Sequence, residues 1–144
     1  MPENPVSPFN IVEAALTAKI GTASAVGFTQ HVSNVLATPT TTSSTWKGMS
    51  KAAIFRFISA AVWDLQMGFA QDWSTTGLSR FLYDNEGKEC VFSFAPVAGG
   101  AGFSVTVTIT PGAYGGAVDA TGEATVTMPV KGRPTLLTAV SPVA

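Results

Sequence analysis

Nucleophilic catalysis in this chain would have to use His31, because it is the only histidine in the 144 residues. A serine or cysteine nucleophile normally needs a neighbouring base that an acid orients. His31 lies in a segment with weak strand patterning, and no acidic residue is its neighbour in the sequence. We therefore expect no nucleophilic catalysis.

The densest acidic stretch, Asp84, Glu86 and Glu89 around Gly87, is the next candidate for chemistry. A calcium loop needs alternating oxygen ligands and a bidentate Glu at its twelfth position. Counted from Asp84, the twelfth position is Ala95. The sequence therefore predicts a polar turn between a helix and a strand, and no metal site.

Two other features resemble reactive motifs. Residues 98–102 are Gly-rich, but no Lys-Ser or Lys-Thr follows, and the pattern after them predicts a strand where a phosphate cradle requires a helix. The single Cys90 excludes an internal disulfide and a cysteine zinc site; it is either a small buried residue or a reactive thiol. We predict no catalytic residues, no cofactor and no metal, and hence no enzyme.

Composition points to a surface that another molecule covers. Hydrophobic residues make up 46% of the chain and charged residues 12%, and the mean hydropathy is +0.30. The net charge is −1, and no basic stripe of the kind that binds nucleic acid tightly is present. No apolar stretch approaches the roughly 20 residues of a membrane span, and the N-terminus lacks a secretory pattern, so we expect a cytoplasmic product with no membrane partner.

Alternation of apolar and polar residues dominates the sequence, which is typical of strands with one buried face. The alternation marks seven candidate strands, which is enough for two packed sheets or a barrel. We therefore predict one mainly β, sandwich or barrel-like domain over residues 1–144. The seven candidate strands are 12–20, 61–69, 90–94, 103–110 and 123–130, with weaker patterns at 31–36 and 54–58.

One short flanking helix is predicted over about residues 76–84. Leu78, Phe81 and Leu82 have the i, i+3, i+4 spacing of one helix face, and Ser74 to Thr76 offer N-caps. This stripe packs either across the sandwich or against a partner.

A long linker over residues 37–57 is predicted because it is rich in Thr and Ser and has no regular period. Residues 1–10 and 134–144 are predicted to be arms outside the core. The uncharged first part of the linker is followed, within the same linker, by the large apolar side chains Trp46, Met49, Phe55 and Phe57. These side chains either fold back onto the sandwich or are buried against another subunit.

Several blocks together resemble the major tail tube proteins of long-tailed, siphovirus-type bacteriophages. They cover most of the chain from about residue 12 to residue 137, and their order carries the likeness. The blocks are Thr-Trp-Lys-Gly at 45–48, Ala-Ala-Val-Trp-Asp-Leu-Gln-Met-Gly-Phe-Ala-Gln-Asp-Trp at 60–73, Leu-Ser-Arg-Phe-Leu-Tyr-Asp-Asn-Glu-Gly-Lys at 78–88, and 123–130 running into Lys-Gly-Arg-Pro.

The resemblance implies a β-sandwich with one flanking helix that assembles into hexameric rings stacked as a tube. It implies a virion tail protein made in the host bacterial cytoplasm. Its partners would be further copies of itself, the tape measure protein and the tail terminator. Genomic DNA would pass through the lumen without specific binding. The same fold occurs in contractile tails, so flexible and contractile tails both stay open.

The ring-to-ring contact is expected at Trp46, Met49, Phe55 and Phe57. Two other classes of function remain. One is another virion β-protein, such as a tail terminator, a capsid decoration protein or an adhesin-like module. The other is a small hydrolase or lyase that uses His31, Asp84 and Glu86.

Overall fold

The computed structural model describes residues 2–140, and within them the chain is mainly β with one short helix, as predicted. The strands are β1 (Ala15–Lys19), β2 (Val26–Gly27), β3 (Val32–Thr40), β4 (Ser43–Lys47), β5 (Ile54–Ile58), β6 (Val62–Ala70), β7 (Glu89–Ala95), β8 (Gly102–Thr108), β9 (Glu123–Pro129) and β10 (Thr135–Leu137). The helix α1 (Leu78–Asp84) lies between β6 and β7.

The strands form three antiparallel sheets. A five-stranded sheet has the order β10-β8-β7-β1-β2, and a three-stranded sheet has the order β3-β6-β9. The third sheet is the two-stranded β4-β5. A bridge between Val107 and Val130 joins the two larger sheets on one side, so β3 remains an edge strand on the other.

Apolar residues from the two larger sheets meet in one core. In β7 the residues Cys90, Phe92 and Phe94 are buried, whereas Val91 between them is exposed. The strands β6 and β9 complete the opposite layer with Leu65, Met67, Phe69, Ala124, Val126 and Met128. Full burial of a side chain such as Leu or Phe contributes about 1.5–3 kcal/mol, so the alternation read from the sequence specifies which face turns inward.

Helix α1 covers this core. Leu78 and Leu82 are fully buried, and Phe81 packs against Phe28 with ring centroids 5.0 Å apart. The stripe therefore packs on the sandwich and is not free to dock a partner. The N-cap is Gly77 and not one of residues 74–76, because the Asp72 carboxylate holds the Ser74 backbone N–H and hydroxyl in a turn just before the helix.

The long loop predicted over 37–57 is wrong, whereas the weaker strand predicted at 54–58 is confirmed as β5. The residues of the predicted loop continue β3 and form β4 and β5, which pair with each other from Ser43↔Ile58 to Lys47↔Ile54. The period-2 signal is absent from β4 and weak in β5 because neither face of these strands is buried, so no core selects alternate residues. The Thr and Ser residues that indicated a loop also suit an exposed strand, Thr through its β-branch.

The C-terminal arm predicted over 134–144 is also partly wrong. Strand β10 pairs with β8, and Val140 is buried beside Ala15 and Ala95. The Val140 carbonyl accepts a hydrogen bond from Gly99 N at 2.8 Å. A strand of only three residues is too short to show a period, and 141–144 lie outside the described residues. Residues 2–10 of the N-terminal arm are exposed and have no regular structure, and Met1 is outside the description.

No helix in residues 2–140 has the length and hydrophobicity to cross a membrane, since α1 is seven residues long.

We expect Phe92→Ala to lower the free energy of unfolding by about 3–5 kcal/mol, because it removes a fully buried ring from the centre of the core. Val91→Ala is the matched control on the outer face of the same strand and should cost less than about 1 kcal/mol. Urea unfolding followed by circular dichroism measures both. Equal losses in the two variants would contradict the assigned faces of β7.

Burial raises the pKa of the Cys90 thiol from 9.0 to about 11. The neutral thiol is therefore favoured by folding. Stability should fall as the pH rises above 9, where the unfolded chain ionises first, until about pH 11. A shift of this size corresponds to about 3 kcal/mol at most. Urea unfolding between pH 8 and pH 11 should show a steeper loss for the parent than for Cys90→Ala, and parallel curves would refute the assignment.

Candidate assembly interface

The β3–β6 pairing continues into β4–β5 as one long ribbon. Pairing runs from Val32↔Phe69 to Thr40↔Val62 and resumes at Ser43↔Ile58. Two residues separate these pairs on one strand and three on the other, so one extra residue bulges between β5 and β6. The ribbon stays closed at this point, because Ser59 N donates to the Thr42 carbonyl at 2.8 Å and the two hydroxyls lie 2.9 Å apart. We call residues 43–58 the hairpin.

The tip of the hairpin is a tight turn. Gly48 N donates to the Ala53 carbonyl at 2.7 Å, and Ala53 N donates to the Ser50 carbonyl at 3.1 Å. A Cβ at position 48 would lie 2.8 Å from the Ala53 Cβ and 3.1 Å from the Trp46 ring, so only glycine lets the indole lie over the turn. Met49 is fully exposed at the end.

Both faces of the hairpin carry exposed apolar side chains. Directly opposed residues of an antiparallel pair share a face, so Trp46 and Phe55 lie together, with ring centroids 5.8 Å apart. Phe57 shares that face, while Ile54 and Ile58 lie on the other. Trp46, Phe55 and Phe57 are 58%, 51% and 61% exposed, which excludes the alternative that they fold back onto the sandwich.

A two-stranded ribbon gains little stability when neither of its faces packs against another layer. An isolated two-stranded hairpin is at best marginally stable in water, and stable ones pack against a third strand or another layer. The hairpin lies outside the core of the two larger sheets. A contiguous apolar patch of this kind on a soluble chain usually marks an interaction site.

The hairpin is also the basic part of the molecule. It contains Lys47, Lys51 and Arg56 and no acid, a charge of +3. Since the whole chain carries −1, the remaining residues carry −4. None of the three cations forms an ion pair within residues 2–140. Sequence reasoning missed this segregation because the cations are four and five positions apart and form no run.

His31 does have an acidic neighbour, contrary to what its sequence position indicated. The fold brings Asp72 to it, with Nε2 3.5 Å from Oδ2. Hydrogen bonds from Ser74 lower the pKa of Asp72, with a smaller contribution from His31. In the described part of the chain His31 Nδ1 is buried without a hydrogen-bond partner, and the partner of Nε2 is Asp72 and not a serine or cysteine. The pair joins the start of β3 to the segment before α1.

Two further acids, Asp84 and Glu89, have local partners. Asp84 accepts from Arg80 at 3.0 Å within α1, and Glu89 lies 3.4 Å from Lys131. Gly87, with φ +81°, forms the turn between α1 and β7. Residues 2–140 contain no group of three or more potential metal ligands, and the Gly-rich residues 98–102 lie in the connection from β7 to β8 and at the first residue of β8.

Compared with protein-family models and with curated proteins, the chain matches none. A function for the chain therefore has to be inferred from its geometry and surface chemistry. The hairpin is the candidate site.

We expect the double variant Trp46→Ser/Phe55→Ser to stay folded and to lose at most about 2 kcal/mol of unfolding free energy, because both side chains are more than half exposed and only their cross-strand contact is removed. Phe69→Ser, in the buried half of the same ribbon, is the contrast and should cost at least about 3 kcal/mol. Thermal unfolding by circular dichroism gives both values. A double variant as unstable as Phe69→Ser would place the hairpin aromatics in the core.

Proposed function

We propose that this chain is the structural subunit of a bacteriophage tail tube, which forms hexameric rings stacked into a conduit for the genome. The observation that supports this best is the hairpin, a projecting ribbon whose apolar faces are both uncovered. Its aromatic side chains and Met49 are where successive rings would touch. The function is assembly and not catalysis.

The open sheet edge fits closure of a ring. Strand β3 is nine residues long and pairs only with β6, so its outer backbone groups are free for a neighbouring copy. Pairing between edges removes the aggregation hazard of an exposed strand and can close a symmetric ring. Pro39 in β3 is compatible with an edge position.

The charge distribution fits passage of DNA without capture. Strong binding to DNA requires several cations along the phosphate backbone. Three of the eight Lys and Arg residues lie on the hairpin, and outside it acids outnumber cations. A lumen built from the sandwich would therefore not hold DNA tightly.

The sequence resemblance extends this proposal to the virion. The tube would belong to a long-tailed phage, would be assembled in the bacterial cytoplasm, and would contact the tape measure protein inside and a tail terminator at its end. A tail terminator, decoration protein or adhesin-like module would use a similar sandwich without polymerising.

Negative-stain microscopy and sedimentation of the purified chain test the proposal. We expect hollow tubes or stacked rings at high protein concentration, and none for Trp46→Ser/Phe55→Ser. The control Val97→Ser/Val118→Ser removes exposed apolar side chains outside the hairpin and should assemble like the parent. Persistent monomers of the parent, or single rings that never stack, would contradict a tube subunit.

A further inference from the structure

We propose that the hairpin of one copy docks in a groove at the far end of the β3–β6 ribbon of the next copy, with Glu13 as the counter-charge to the hairpin cations. This inference rests on the proposed function, because it assigns the surface that receives the hairpin within a stack. It commits to a second copy of this chain as the occupant.

The groove lies between residues 11–14, which lead into β1, and the first half of β3. Its volume is about 330 Å³. Leu16, Val32, Val35 and Phe94 supply apolar lining, and Glu13 is the charged residue among those that line it. Thr29, Ser33 and Asn34 supply polar lining, so the groove is a cleft of mixed polarity in which Glu13 is the charged residue, and it borders the edge strand β3.

The backbone of Glu13 is fixed by a hydrogen bond, whereas its carboxylate has no ion-pair partner within residues 2–140. Its backbone carbonyl accepts a hydrogen bond from Ala98 N at 2.9 Å, which ties the segment to the loop after β7. Its side chain is exposed and forms no ion pair within residues 2–140. The hairpin cations likewise form no ion pair within the described residues. Complementary charges across an interface set the register of docking and speed association.

The hairpin and the groove lie at opposite ends of one ribbon. From Val35 in the groove to Met49 at the tip, the chain covers roughly 45 Å at about 3.3 Å per residue. A copy would have to fold its ribbon back on itself to reach its own groove. Contact between two different patches on successive copies is heterologous, and such a contact repeats along an axis.

The exposed apolar side chains of the hairpin are also compatible with the apolar part of the groove lining. The hairpin presents exposed aromatic and aliphatic side chains, with the flexible Met49 at its end. Methionine fills irregular apolar gaps well because its side chain is unbranched. A projection with apolar side chains and cations would meet a partly apolar cleft whose charged residue is an anion.

Charge reversal tests this inference. We expect Glu13→Lys to raise the protein concentration needed for assembly by about tenfold or more, because it places like charges together at the contact. Reversing a hairpin cation in the same chain, by Lys47→Glu, Lys51→Glu or Arg56→Glu, should restore assembly in at least one of the three combinations. Glu86→Lys is the matched control, since it makes the same change of net charge on an exposed turn away from the groove and should assemble like the parent.

Sedimentation velocity and microscopy give the readouts, with circular dichroism to establish that each variant is folded. Unchanged assembly of Glu13→Lys while the parent forms tubes would overturn the docking site and leave the proposed function standing. Loss of assembly that none of the three reversals restores would also overturn it.

Oligomers that form without growing into tubes also test the docking site. Dimers or short oligomers that depend on Glu13 and are rescued by charge reversal would support the docking site even if no tube forms. A parent chain that stays monomeric, and whose hairpin instead binds a short DNA duplex or phosphatidylserine vesicles, would overturn both proposals.

Discussion

Pairing between β3 and β6 is the interaction on which the rest of the structure depends. In its first half the ribbon forms part of a layer, since β6 also pairs with β9 and places Leu65, Met67 and Phe69 in the core. Beyond Thr40 and Val62 the same ribbon has no layer beneath it. One continuous element therefore both builds the domain and carries its exposed apolar surface outward.

This arrangement separates stability from recognition. The sandwich holds its apolar residues between two sheets and under α1, so the fold does not need the hairpin side chains. The hairpin keeps its shape through cross-strand pairs, the Thr42–Ser59 contact and the Gly48 turn. Its aromatic residues are thus available to a partner at little cost to the folded domain.

His31 and Asp84, which the sequence offers as candidates for catalysis, have structural contacts in the fold. Asp72 holds Ser74 and His31 together, and Asp84 pairs with Arg80 inside the helix. The charges without such contacts are the informative ones, because a cation that satisfies no local acid is free to select a partner. The charges without an ion pair in residues 2–140 include the three cations of the hairpin and, at the other end of the ribbon, Glu13.

The sequence by itself determined the core and the elements around it, because burial on one face imposes a readable period. In β7 this period is two residues, with Phe92 buried and Val91 exposed. In α1 it is the i, i+3, i+4 spacing of Leu78, Phe81 and Leu82. The same signal is weak where no face is buried, so the sequence predicts a loop over 37–57 with only a weak strand at 54–58, although the end of β3, β4 and β5 lie there. Cross-strand pairing, the meeting of His31 with Asp72 and the burial of Val140 were decided only by tertiary structure, because each joins residues far apart in the chain. The placement of the hairpin and the groove at opposite ends of one ribbon belongs to the same group, since pairing register and not local composition sets how far β4 and β5 extend beyond the core.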